Sequence, residues 1–206
     1  MTPDELFIKI WNTQYRKGGK DVDYKMDFDS DNSTLFILFQ GSTTKSDWWH
    51  NLMFWPQYIS PYKHMEIKWK AHAGIVKMWQ SVRDEVTNSL VDLVEIFGIE
   101  DIVVAGHSQG GGIAQLCAED LAWHGLTVSC ITFGSPKVFY GRKTKKYLTE
   151  KHIDFANYEN GSDIVPLLPP GAFTIRPLHV GEPFRLRNVG KTADYHMGYG
   201  NADLYK

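Results

Sequence analysis

One serine in this chain stands where a hydroxyl can be made nucleophilic. Gly106-His-Ser-Gln-Gly110 fits the pattern G-x-S-x-G, in which a sharp turn holds the serine clear of the backbone. Small residues two before and two after it let the flanking elements pack closely. A serine hydroxyl is a weak nucleophile near neutral pH, so it needs an adjacent base that a third group orients. With this motif the partners follow in the order serine, acid, histidine. His50, His64, His72, His107 and His124 precede the motif or crowd it, leaving His152, His179 and His196. The best acid is Asp163 in the polar loop Asn160-Gly-Ser-Asp-Ile-Val-Pro166, although the same residues are also good turn formers. His152 precedes that acid. His196, in the loop Ala193-Asp-Tyr-His-Met-Gly-Tyr199, is preferred to His179, which Leu178 and Val180 flank as in a strand. Asp154 and Asp194 are weaker acids, one inside a predicted strand and one too near His196. Such a trio attacks a carbonyl carbon and forms a covalent intermediate.

These side chains need a scaffold. Ile102 to Ala105 read as a short buried strand before the serine, and Ile113, Ala114, Leu116 and Cys117 as the apolar face of a helix after it. The motif alone arises by accident in on the order of one chain in ten to twenty, so the flanking elements make it specific. Ile75, Trp79, Val82, Val86, Leu90, Leu93 and Phe97 recur at spacings of three and four, predicting one face of a long helix stopped by Gly98. Leu6, Phe7, Ile10 and Trp11 predict an N-terminal helix. Val22 to Phe28 alternate, and Leu35 to Phe39 are continuously apolar, predicting a hairpin that feeds a central strand. Val128 to Phe133 and Ile153 to Tyr158 predict further strands, and Leu178–Val180 with Phe184–Leu186 a terminal β-hairpin. Strands alternating with helices imply an α/β fold, a mostly parallel sheet with helices on both faces. We find no repeat or linker, so one domain over residues 1–206 is expected.

Composition narrows the field. A net charge of −2 offers no global field for nucleic acid or an anionic bilayer. No apolar run nears the ~20 residues that span a membrane, and the N-terminus lacks a signal-peptide pattern, so a cytoplasmic location is the default expectation. Cys117 and Cys130 read as reduced core thiols. Neither a metal motif nor a glycine-rich phosphate loop occurs, so no cofactor is expected. Ser135, in Gly-Ser-Pro, reads as a turn residue.

Five segments together resemble the class 3 (fungal-type) lipase family of α/β-hydrolases. Phe39-Gln-Gly-Ser42 with Asp47-Trp48 and Asn51-Leu52 is similar to its oxyanion-strand signature, and His72-Ala-Gly74 to the segment opening its long helix. Gly106-His-Ser-Gln-Gly110 with Phe133-Gly-Ser-Pro136, Asn160 to Pro166, and His196 with Tyr199 resemble its elbow, acid loop and histidine loop. The resemblance implies a catalytic triad of Ser108, Asp163 and His196. It also implies an oxyanion hole from Ser42 and the backbone N–H of Gln109, each donor worth ~3 kcal/mol. Gln109 stands where the family often has Leu, and Gln40 where it has Arg.

Residues Ser46 to Tyr62 hold Trp48, Trp49 and Trp55. In the family this region begins with the lid, so Trp48, Trp49, Leu52 and Phe54 either cover an acyl groove at a membrane or micelle interface or pack on the sheet. Arg142, Lys143, Lys145, Lys146 and Lys151 form a basic cluster, read as a solvated helix face rather than a phospholipid-facing patch. The expectation is a serine carboxyl-ester hydrolase acting on lipid esters without nucleic-acid partners. The rivals are a non-lipid esterase of feruloyl or acetyl type and a catalytically silent binding module.

Overall fold

The structure is a computed structural model, describing residues 1–19, 22–41, 56–59, 69–150, 153–170, 177–178, 181, 183–186 and 195–205. Its chain runs α1 (Pro3–Asn12), β1 (Arg16–Gly18), β2 (Val22–Asp29), β3 (Thr34–Phe39), β4 (Pro56–Ile59), β5 (Trp69–His72) and α2 (Ala73–Phe97). It continues through β6 (Asp101–His107), α3 (Gln109–Trp123), β7 (Val128–Phe133), β8 (Phe139–Tyr140), α4 (Arg142–Glu150), β9 (Asp154–Asn160), β10 (Pro177–Leu178) and β11 (Pro183–Leu186).

Seven strands form the main sheet in the order β1-β2-β3-β6-β7-β9-β11, parallel from β3 onward. The central strand β3 is apolar at every position from Leu35 to Phe39 because both of its faces are covered. Leu35, Ile37 and Phe39 join the core under α2 and α3, while Phe36 and Leu38 pack with Leu6, Phe7 and Ile10 of α1. Phe39 lies opposite Gly106, and His107 opposite Phe133. The C-terminal ends of three strands therefore finish along one edge, the usual place for a site in such sheets.

The predicted long helix agrees with α2 at both ends. His72 is its N-cap, its Nδ1 accepting from the Ile75 N–H at 3.4 Å, and burial pushes this imidazole down to about 4. Gly98 closes the helix at φ +60°, with its N–H on the Val94 carbonyl at 3.2 Å. The apolar face is buried through Leu90, but Phe97 is 49% exposed, its ring tilted against Phe28 at 5.1 Å between centroids.

Helix α3 is more deeply set than its apolar spacing predicts, with every residue from Gln109 to Ala122 buried. It lies between the sheet and α2, so its polar face needs partners rather than water. Asp120 takes both Arg83 Nε and Nη2, and the Trp79 indole N–H at 3.2 Å. Glu119 accepts from the Tyr147 hydroxyl at 3.0 Å. Cys117 and Cys130 are buried free thiols, and burial pushes both well up.

The predicted terminal hairpin is corrected by the pairing. Pro177–Leu178 pairs antiparallel with β8 in a second sheet of order β10-β8-β5-β4, whereas Pro183–Leu186 pairs parallel with β9. Aromatic stacking holds the latter: Phe184 lies 5.1 Å from Tyr158, which stacks on Phe133 at 5.3 Å. Arg142, Lys143 and Lys146 lie on the exposed side of α4 over buried Thr144 and Leu148, as a solvated face requires. None of the described helices is long and apolar enough to cross a membrane.

Candidate active site

Ser108 sits between β6 and α3 with φ 54° and ψ −126°. A non-glycine residue there is strained and persists only where its surroundings enforce it. Close packing does so: a Cβ on Gly106 would lie 2.4 Å from the Gly110 carbonyl oxygen, and one on Gly110 would lie 2.4 Å from that of Phe39. The Ser108 N–H donates to the Phe133 carbonyl at 2.9 Å, tying the elbow to β7.

Asp163 follows β9 in a turn whose own N–H reaches back to the Asn160 carbonyl at 2.8 Å. Its side chain is 1% exposed and accepts three hydrogen bonds. The Val165 N–H meets Oδ1 at 2.9 Å, while His196 Nδ1 and the Tyr199 hydroxyl meet Oδ2 at 2.7 and 2.8 Å. A carboxylate only accepts, so its contact assigns the proton of His196 to Nδ1 and leaves the Nε2 lone pair free. The acid and the histidine preferred from the sequence therefore lie in contact. Among the described residues no hydrogen bond joins the Ser108 hydroxyl to that imidazole, a contact that commonly tightens only with substrate.

Gly134 makes the pairing sterically feasible. It has φ +54°, and a Cβ on it would fall 2.5 Å from Asp163 Oδ2 and 3.0 Å from His196 Nδ1. Tyr199, fully buried, both donates to Asp163 and accepts from the Asn160 N–H at 2.9 Å. Burial, reinforced by Asp163, pushes its phenol far up, so it stays a donor. His107, set aside at first for its nearness to the serine, has its Nε2 2.7 Å from the His196 carbonyl oxygen. No spacing rule could have assigned it, because that contact joins the end of β6 to a distant turn.

Gln109 opens α3, so its N–H has no carbonyl four residues back within the helix. Gly41 packs on the elbow, a Cβ there falling 3.0 Å from Ser108 Cβ. Ser42, the lid candidates Trp48, Trp49, Leu52 and Phe54, and the rivals His179 and Asp194 lie outside the described residues. Asp154 is exposed at the far end of β9. Ser135 is buried, accepts from the Gln115 amide at 2.8 Å and donates to the Pro136 carbonyl, a structural serine. Ile164, Leu167 and Met197, beside the acid and the histidine, are 59%, 60% and 47% exposed.

Comparison with known proteins gives this geometry a family. The model of the family described as lipase (class 3) matches residues 36–173. A lipase from Rhizomucor miehei is 31% identical over 188 residues, covering 89% of this chain and 49% of that protein. The secreted mono- and diacylglycerol lipase A of Penicillium cyclopium is 28% identical over 68% of this chain and 45% of its own length. This chain thus spans about half the length of these curated relatives. Among solved structures, a triacylglycerol lipase whose catalytic centre is a serine protease triad superposes with a TM-score of 0.73 at 28% identity, over 84% of this chain and 65% of that one. With its parallel sheet, helices on both faces and serine at a strand–helix elbow, the chain has the α/β-hydrolase fold and belongs to the class 3 lipase family.

Proposed function

We propose that this protein is a serine carboxyl-ester hydrolase of lipid esters, with Ser108, His196 and Asp163 as its triad. The observation that carries the reading is the 2.7 Å contact of His196 with Asp163, beside a serine held at positive φ. Ser108 Oγ bonds to the ester carbonyl carbon as its proton passes to His196 Nε2. The carbonyl electrons move onto oxygen, where the Gln109 N–H and Ser42 stabilise the charge. Collapse expels the alcohol, which takes the proton from His196 and leaves an acyl-serine. Water then repeats the sequence and releases the acid. Asp163 keeps the imidazole in the productive tautomer throughout.

Exposed Ile164, Leu167 and Met197, close in sequence to the acid and the histidine, support an acyl chain over a polar substrate, because covering them with alkyl groups removes hydrophobic area from water. Lipid presented at a membrane or micelle is the corresponding partner, with Trp48, Trp49, Leu52 and Phe54 as its cover. The test is hydrolysis of chromogenic esters from acetyl to long-chain acyl, with Ser108→Ala as control. Activity that rises with chain length and falls ~10⁴- to 10⁶-fold in the variant is expected. A peak at acetyl contradicts the lipid assignment, and equal rates in both proteins contradict the triad.

A further inference from the structure

The imidazole preceding the nucleophile has no part in the proposed reaction, yet among the described residues it is the ring nearest the proposed base. His107 ends β6, is 2% exposed, and is walled by Phe7 at 5.3 Å, Trp11 at 5.5 Å and Tyr199 at 6.0 Å between ring centroids. Its ring lies 4.5 Å from that of His196, tilted by 39°. A carbonyl oxygen only accepts, so the 2.7 Å contact with the His196 carbonyl puts the His107 proton on Nε2. Nδ1 is left bare and buried, with no hydrogen-bond partner among the described residues.

The segment that carries the base needs such help. Residues 195–197 form a turn that runs into a 3-10 helix at Gly198–Gly200, all outside the sheet, and three of their carbonyls are held by side chains instead of a strand ladder. Asn160 Nδ2 holds the Tyr195 carbonyl at 3.0 Å, His107 holds that of His196, and the Tyr205 hydroxyl holds that of Tyr199 at 2.8 Å. His107 is the member of this series that grips the residue bearing the base and also contacts its ring.

We infer that His107 is a positioning residue for the base, anchoring the His196 main chain through Nε2–H and offering its ring an uncharged wall during turnover. The inference rests on the triad reading above. Charge is the second half of the requirement: a cation at 4.5 Å would oppose the imidazolium that His196 becomes. Burial, aided by His196, pushes His107 down to about 3 despite opposing pulls from the His196 carbonyl and Asp163. The other groups against the ring, Phe7, Trp11 and Tyr199, carry no charge in the working range.

The test compares His107→Gln, whose amide nitrogen reaches the same carbonyl, with His107→Met, of similar bulk and no donor. Hydrolysis of a short chromogenic ester is followed from pH 5 to 9, with each variant's Tm measured. The Met variant should lose ~10- to 100-fold in kcat with KM within about twofold, and the Gln variant should recover to within about threefold of the parent. Equal losses in both, tracking Tm, would reduce His107 to a packing residue and overturn the inference. A second readout needs neither activity nor the Met variant's folding: histidine ¹⁵N spectra of the Ser108→Ala protein. His107 should remain in the neutral Nε2–H form from pH 5 to 8, and titration in that range or an Nδ1–H tautomer overturns the proposal. A parent protein that hydrolyses no ester would instead refute the triad reading, whatever the spectra show.

Discussion

Replacing Gly134 by Ala separates backbone strain from damage to the acid–histidine pair. The new methyl carbon would sit 2.5 Å from Asp163 Oδ2 and 3.0 Å from His196 Nδ1, roughly an ångström inside ordinary contact for the first. Asp163 cannot retreat cheaply, because the Val165 N–H and the Tyr199 hydroxyl hold its two oxygens. The displaced group is therefore the imidazole. A shift of about 1 Å costs ~10² in rate, and full loss of the oriented tautomer ~10⁴, so kcat should fall between these limits. The left-handed backbone adds ~1–2 kcal/mol of instability. Gly98→Ala supplies the control: its φ is also near +60°, but nothing among the described residues lies within 4 Å of the new methyl. That variant should lose similar stability and keep its kcat. Steady-state hydrolysis of a short ester, with urea melts of both variants, makes the comparison. If Gly134→Ala retains kcat within twofold of the parent, the steric argument and the assigned pair are both wrong.

Other consequences follow from the same contacts. Tyr199→Phe removes a donor from Asp163 and the acceptor of the Asn160 N–H; it should cost ~1–3 kcal/mol in urea melts and about tenfold in kcat. Asp120→Ala removes the carboxylate that Arg83 and the Trp79 indole share, away from the catalytic side chains; about 1–3 kcal/mol of stability should be lost with kcat within twofold at low temperature. His72 and His107 are held down to about 4 and about 3, so below pH 6.5 the unfolded chain binds protons that the folded one excludes. Their contribution is complete above pH 6.5 and is lost as pH falls toward those values, at ~1.4 kcal/mol per pH unit for each. The urea midpoint should drop between pH 7 and 5, and less in His107→Gln; an identical drop in that variant contradicts the assignment.

The elbow was legible because its requirements are local. Two glycines, a four-residue apolar strand and the start of a helix all lie within twelve residues of Ser108. The long helix was legible for the same reason, with a spacing of three and four and a glycine stop. Chain order together with loop context sufficed to prefer Asp163 and His196, which lie 2.7 Å apart. What escaped depends on contacts between distant segments. β8 and β10 have two residues each, too few for any alternation to register, so the second sheet left no trace. Phe184 looks like a hairpin residue, and only Tyr158 beside it explains its parallel pairing. The burial of Glu119 and Asp120 has no local sign in the sequence, because the groups that satisfy them, Tyr147, Arg83 and Trp79, reach them from other helices. His107 was discounted by its position, whereas its role comes from a carbonyl 89 residues away.

The most direct measurement is active-site labelling with a 4-nitrophenyl alkylphosphonate, followed by peptide mass mapping. One phosphonyl group per chain should appear on Ser108, ester hydrolysis should vanish in step with it, and Ser108→Ala and His196→Ala should resist. An enzyme that hydrolyses esters while Ser108 stays unmodified, or that carries the label on another residue, would contradict the account.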